Sequence, residues 1–152
     1  MATQNLTRNA KLNKKKGTRV ACCTLDYADT SELDITTSAD AYELFVAPND
    51  CYITKAEMLV LTAFDSATSA VADVGLSGGD TLIDGANLKS AANTKLSGGT
   101  NAVVPQFLET GGTITFLPTY TGATTAGKVI LMIEYVEIER GEEGELTEFS
   151  AT

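Results

Sequence analysis

Apolar positions along this chain come in short runs with a period of two, and the longest run lies near its middle. Between Asp50 and Ser77, Tyr52, Thr54, Ala56, Met58, Val60, Thr62 and Phe64 alternate with Ile53, Lys55, Glu57, Leu59, Leu61 and Ala63. Alternation of this kind predicts a long β-strand. The small polar residues Asp65 to Ser69 predict a turn, and Ala70 to Ser77 a returning strand, so that the stretch reads as a central β-hairpin. The unbroken run Met58 to Leu61 predicts burial on both faces, as inside a sandwich.

The flanking pattern is of the same type. Arg19 to Asp26, Tyr42 to Val46 and Thr113 to Leu117 predict strands, with a short one over Leu33 to Thr36. Ala47 to Asp50 is a proline turn, and Pro118 and Gly122 mark the exit from the Thr113 strand. Pro105 makes its neighbours an edge strand or an extended loop. Leu82 and Ile83 sit in a short strand between glycine turns, and the alanines of Gly85 to Lys95 allow one or two helical turns. Lys128 to Arg140 is apolar at both parities and predicts a second long strand, central in a sheet. The sum is an all-β chain, a single antiparallel β-sandwich over residues 19–140. It is preceded by an arm at 1–18 and followed by an acidic tail at 141–152.

Charge sharpens this division. The 152 residues carry 11 cationic and 20 acidic side chains, a net charge of −9. Arg8, Lys11, Lys14, Lys15, Lys16 and Arg19 stand in the first nineteen residues without a single acid. These six are the candidate contacts of a basic arm that orders on an acidic partner surface. Histidine and tryptophan are both missing, which removes serine-type triads and histidine metal sites. The three cysteines, Cys22, Cys23 and Cys51, are too few and too poorly placed for a disulfide framework and predict reduced thiols. No apolar run approaches the ~20 residues that span a bilayer, so no membrane partner is expected.

Candidate chemistry is sparse. Asp65, Asp73, Asp80 and Asp84 lie at predicted turns without EF-hand spacing and read as turn-makers ahead of calcium ligands. Glu43 and Glu57 read as solvent-facing strand acids ahead of a glycosidase pair. Gly78-Gly79, Gly98-Gly99 and Gly111-Gly112 lack the Gly-Lys-Ser/Thr of a phosphate loop. The arm has no aromatic residue to stack on bases and the body is acidic, which argues against nucleic acid. Tyrosines 27, 42, 52, 120 and 135 without a tryptophan platform make a poor sugar site. The sequence thus points to a structural or binding protein without cofactor or catalytic site.

Several of these segments together resemble a known group. The proline turn Ala47 to Asp50 leads into the strand Cys51 to Ala63. There follow Phe64 to Thr68, then Val74 to Asp80 and the closing run Tyr135-Val136-Glu137-Ile138-Glu139-Arg140. Over residues 42–140 this pattern is similar to the β-sandwich structural proteins of tailed bacteriophages. The resemblance implies a jelly-roll-like sandwich that binds the outside of a phage head as a decoration or cement protein. The implied partners are the major capsid protein and further copies of the chain, a trimer ahead of a dimer. The implied place is the surface of a virion assembled in the host cytoplasm. A head fibre or host-glycan-binding module is the alternative. No catalytic residue carries over.

Overall fold

The computed structural model describes residues 17–29 and 35–138. Residues 1–16 of the expected arm, the whole expected tail at 141–152, Glu139 and Arg140 of the expected last strand, and Leu33 and Asp34 of the expected short strand lie outside the described residues. Ile35 and Thr36, its other half, are not in a strand.

Nine strands follow in order: β1 (Arg19–Asp26), β2 (Tyr42–Ala47), β3 (Cys51–Thr62), β4 (Ser69–Leu76), β5 (Ile83–Asn87), β6 (Lys95–Leu96), β7 (Gln106–Leu108), β8 (Gly112–Thr121) and β9 (Lys128–Glu137). One sheet has the order β1-β9-β3-β6, with β7 also on β3. The other has the order β2-β8-β4-β5. All strand pairs are antiparallel. Counting β6 and β7 as one interrupted strand gives 1-8-3-6 against 2-7-4-5, the two-sheet jelly roll. The expected all-β antiparallel sandwich is therefore the fold.

The expected hairpin is not. β3 pairs with β9, β6 and β7, whereas β4 pairs with β8 and β5, so the two strands belong to opposite sheets. The six residues between them span the gap between the sheets, which is about 10 Å. A corner of this kind needs an anchor, and Phe64 supplies it: its ring is buried, stacked on Tyr120 at 5.8 Å, with Tyr27 edge-on to both. Ser66 Oγ is 2.7 Å from Ser69 O and 2.9 Å from Thr121 O, so the buried hydroxyl has acceptors on both sides.

A bulge corrects the expected faces of the long strand. Register shifts between Ile53 and Lys55 against β9, so one extra residue enters β3 there. Cys51 and Ile53 consequently point inward with Ala56, Met58 and Val60. Leu59 and Leu61 are only half-buried on the outer face, so the run Met58 to Leu61 is not enclosed on both sides. In β9 the same alternation holds: Val129, Leu131 and Ile133 are in the core, and Ile130 and Met132 are half-buried outside. Its expected central place is found, between β1 and β3.

Two further expectations fail locally. Ile83–Asn87 is strand and the residues after it are turns, without a helix, because Ala86 and Leu88 are buried against the second sheet and Leu88 N–H donates to Ala70 O at 2.9 Å. β8 runs straight through Pro118 to Thr121. Pro118 lies beyond Phe116, the partner of Tyr42 at the start of β2, and its carbonyl receives Ala39 N–H at 2.7 Å. Among the described residues no strand faces its missing donor on that side, so the ladder loses nothing.

Gly127 lies directly beneath the Phe64 ring, so a Cβ there would overlap ring carbons. Replacing Gly127 with Ala is expected to lower stability by about 3 kcal/mol through overpacking. A thermal melt of the variant matching the parent would contradict this placement of the corner.

Candidate interaction surface

The outer face of the five-stranded sheet mixes apolar and charged residues in register. Cys22 stands opposite Met132, and Ile130 opposite Leu59. Around them Val20 faces Glu134, Glu134 faces Lys55 and Leu59 faces Lys95. Glu57 sits between two lysines, 2.9 Å from Lys55 Nζ and 2.6 Å from Lys95 Nζ. Those two cations, Lys95 foremost, hold its carboxyl below the usual range. At the opposite end of the face runs a second apolar row, Val136, Tyr52 and Phe107. Val136 is buried yet lies outside the main core, and Phe107 is 43% exposed.

The β1 and β2 edges lie on one side of the sandwich and enclose a groove of about 470 Å³. Asp26, Asp29 and Glu43 line it beside a single cation, Lys128, and Leu44 reaches into it. Leu44 does so because β2 bulges between Glu43 and Phe45. A small apolar recess of about 50 Å³ lies alongside, between Ala21, Cys23, Phe45, Leu131 and Ile133. Asp26 pairs with Lys128 at 2.9 Å, which lowers its carboxyl, as does Ala28 N–H. Burial raises the Cys23 thiol to about 11, so it stays protonated.

Among the six candidate arm residues, Arg19 alone is described. It opens β1, half exposed, with Nη1 3.3 Å from Glu137 Oε1. Arg8, Lys11, Lys14, Lys15 and Lys16 lie outside the described residues. The chain enters at Arg19 and leaves after Ile138 on adjacent strands, so the basic and acidic terminal segments attach at the same end of one sheet. Every cation of the described body is engaged within the chain: Arg19, Lys55, Lys95 and Lys128 in ion pairs, and Lys89 on Ser66 O at 2.6 Å. The other six cationic residues of the sequence, five before Gly17 and Arg140, lie outside the described residues.

Other candidate residues are placed as turn and packing groups. Asp80 and Asp84 both accept hydrogen bonds from Asn101, at 2.8 and 2.9 Å, and Asp73 accepts from Gly85 N–H at 2.6 Å. Glu43 and Glu57 are on different sheets. Tyr27, Tyr120 and Tyr135 pack in or against the core, and Tyr42 O–H bonds the loop at Thr37 O, 3.1 Å away. Sequence reasoning missed the groove and the β1 edge that has no strand beside it among the described residues, since both depend on which strands end up as neighbours.

Three solved structures share this fold. A chain in the acid-stable capsid structure of Helicobacter pylori bacteriophage KHP30 matches with a TM-score of 0.60 at 9% identity, over 85% of this chain and 98% of that one. A chain of the cyanophage Pam1 capsid matches at 0.55 and 12% identity, over 82% and 87% respectively. A chain of the Ralstonia phage GP4 capsid matches at 0.55 and 18%, over 81% and 86%. Each of these chains is little more than one such sandwich. No family model matches the chain, and no curated protein matches it.

Asp65 ties the β3–β4 corner to the β8–β9 loop, accepting from Thr125 Oγ1 at 2.5 Å, Thr125 N–H at 2.7 Å and Ala126 N–H at 3.0 Å. These donors lower its carboxyl from 3.8 to about 2. A depressed folded value means that the contribution is complete above pH ~4 and is lost as pH falls toward 2. The melting temperature is expected to drop across that interval, and Asp65→Asn to shrink the drop while lowering the melting temperature at pH 7. Parallel curves for the two proteins would contradict the role of Asp65.

Proposed function

We propose that this chain is a structural protein of a phage capsid, a decoration or cement protein that binds the outside of the head and reinforces contacts between capsomers. One observation carries the reading: the sandwich matches nearly the whole length of small chains in three phage capsid structures. A sandwich of this kind acts by presenting surfaces, and the described residues present a half-buried apolar sheet face and an acidic groove. The role is mechanical and involves no catalysis.

Attachment rests on repetition. A shell offers many equivalent sites, so copies that associate with one another gain avidity without any single tight interface. The major capsid protein is the partner. The basic arm, with Arg8, Lys11, Lys14, Lys15 and Lys16 ahead of Arg19, makes the electrostatic part of the contact with an acidic shell or a neighbouring copy. Assembly in the reducing host cytoplasm suits three free thiols.

The test is co-sedimentation of the purified protein with heads stripped of it, at low and high salt. Deleting residues 1–18 is expected to weaken binding about tenfold at low salt and to flatten its salt dependence, leaving the fold intact. Failure of the full chain to bind the heads at any salt would overturn the reading. Equal binding by both chains would remove the arm from the mechanism.

A further inference from the structure

β1 has one edge in the ladder with β9 and, among the described residues, no strand on the other. The other sheet edges are guarded against added strands. β2 is bulged, β5 is covered where Ile83 bridges Gly98, and the β6–β7 edge is broken into pieces of two and three residues with Pro105 before the second. β1 has none of these devices. It is eight residues long, pairs with β9 residue for residue without a shift, and contains neither proline nor glycine. A regular, unguarded edge of that length is a template for another strand.

The alternation of β1 shows which groups it offers. Tyr27 N–H donates to Gly127 O at 2.9 Å in the same register as the β1–β9 ladder. The odd residues therefore spend their backbone groups on β9, and the N–H and C=O of Val20, Cys22 and Thr24 face the free edge. The side chains of these three are on the exposed outer face, with Val20 60% exposed.

We propose that the β1 edge pairs with β1 of a second copy, antiparallel about a two-fold axis at Cys22, joining the five-stranded sheets of the two copies into one. Charge distribution on the strand favours this occupant. β1 begins with Arg19 and ends with Asp26, so antiparallel self-pairing opposes no like charges, whereas parallel pairing sets Arg19 against Arg19. Centring on Cys22 puts Val20 opposite Thr24, a β-branched pair. Centring on Cys23 would instead put Val20 opposite the charged Asp26. The pairing closes after two copies, as an isologous contact must, and forms about six backbone hydrogen bonds from Val20, Cys22 and Thr24. It makes the association two-fold, where the resemblance implied a trimer ahead of a dimer. It stands independently of the capsid role, because it concerns the purified chain.

Three measurements on the full chain test it. Sedimentation equilibrium is expected to show dimers, and a monomer at every concentration up to about 1 mM would overturn the proposal. Mild oxidation with copper phenanthroline is expected to link the dimer through Cys22. Two thiols then give two electrons to the Cu(II) reagent and two protons to solvent as the S–S bond forms, across a Cα separation of about 5.5 Å that a disulfide tolerates. Cys22→Ser should abolish that link, and linkage persisting in this variant would contradict the register. Thr24→Pro removes a donor that faces away from β9, so the fold is kept while dimerisation falls at least tenfold. Hydrogen exchange serves if that variant does not fold. Amides of residues 20, 22 and 24 should become protected as concentration rises, and exchange that stays fast in the dimeric range would place the contact elsewhere. Protection appearing only on addition of phage heads would assign the edge to a shell strand and overturn self-pairing.

Discussion

The insertion of β9 between β1 and β3 is the interaction on which the rest of this structure depends. It joins the end of the described chain to its beginning over eight residue pairs and to the long central strand over ten. Every other strand pair but β4–β5 likewise joins segments that are not consecutive in sequence. Local preference alone therefore cannot assemble the sandwich. Closure entropy has to be met before the long-range ladders stabilise anything, a pattern associated with slow folding. Once β9 is in place, Val129, Leu131 and Ile133 meet Ile53, Met58 and Val60 in one core layer, against Ala72, Val74, Ile114 and Phe116 of the facing sheet. The same insertion leaves β1 at the sheet margin and brings the two oppositely charged terminal segments to one end.

Strand positions were legible because a period of two leaves its mark at each strand separately. Partnership was not. The alternation in Tyr52 to Phe64 and in Ala70 to Ser77 is the same whether the strands form a hairpin or lie in opposite sheets, so the corner at Phe64 looked like a turn. The bulge after Ile53 was hidden for a related reason: one added residue reverses the inward parity without changing composition. The alanines near Ala91 suggested helix from intrinsic preference, and tertiary burial of Leu88 decided otherwise. Pro118 was read as a strand end because sequence does not reveal that its unpaired side faces a place where β2 has already stopped.

On the sequence side, the functional reading rested on the charge pattern and on the resemblance over residues 42–140. Segregated charge marked an arm and a body of opposite sign, and the described body keeps all five of its cations for itself. The surface features of the body, the groove at Leu44 and the β1 edge, unpaired among the described residues, follow from topology and so could not be read beforehand. On the proposed reading these features serve association: a sheet face, an edge and an acidic groove for contact, with thiols and tyrosines mostly turned toward packing.

The most direct measurement of the proposed role is the number of copies of this chain in purified phage particles of its source, by quantitative mass spectrometry against the major shell protein. A capsid-reinforcing role requires copies on the order of those of the shell protein. Absence from the particles would contradict it and leave a jelly roll whose partner lies elsewhere.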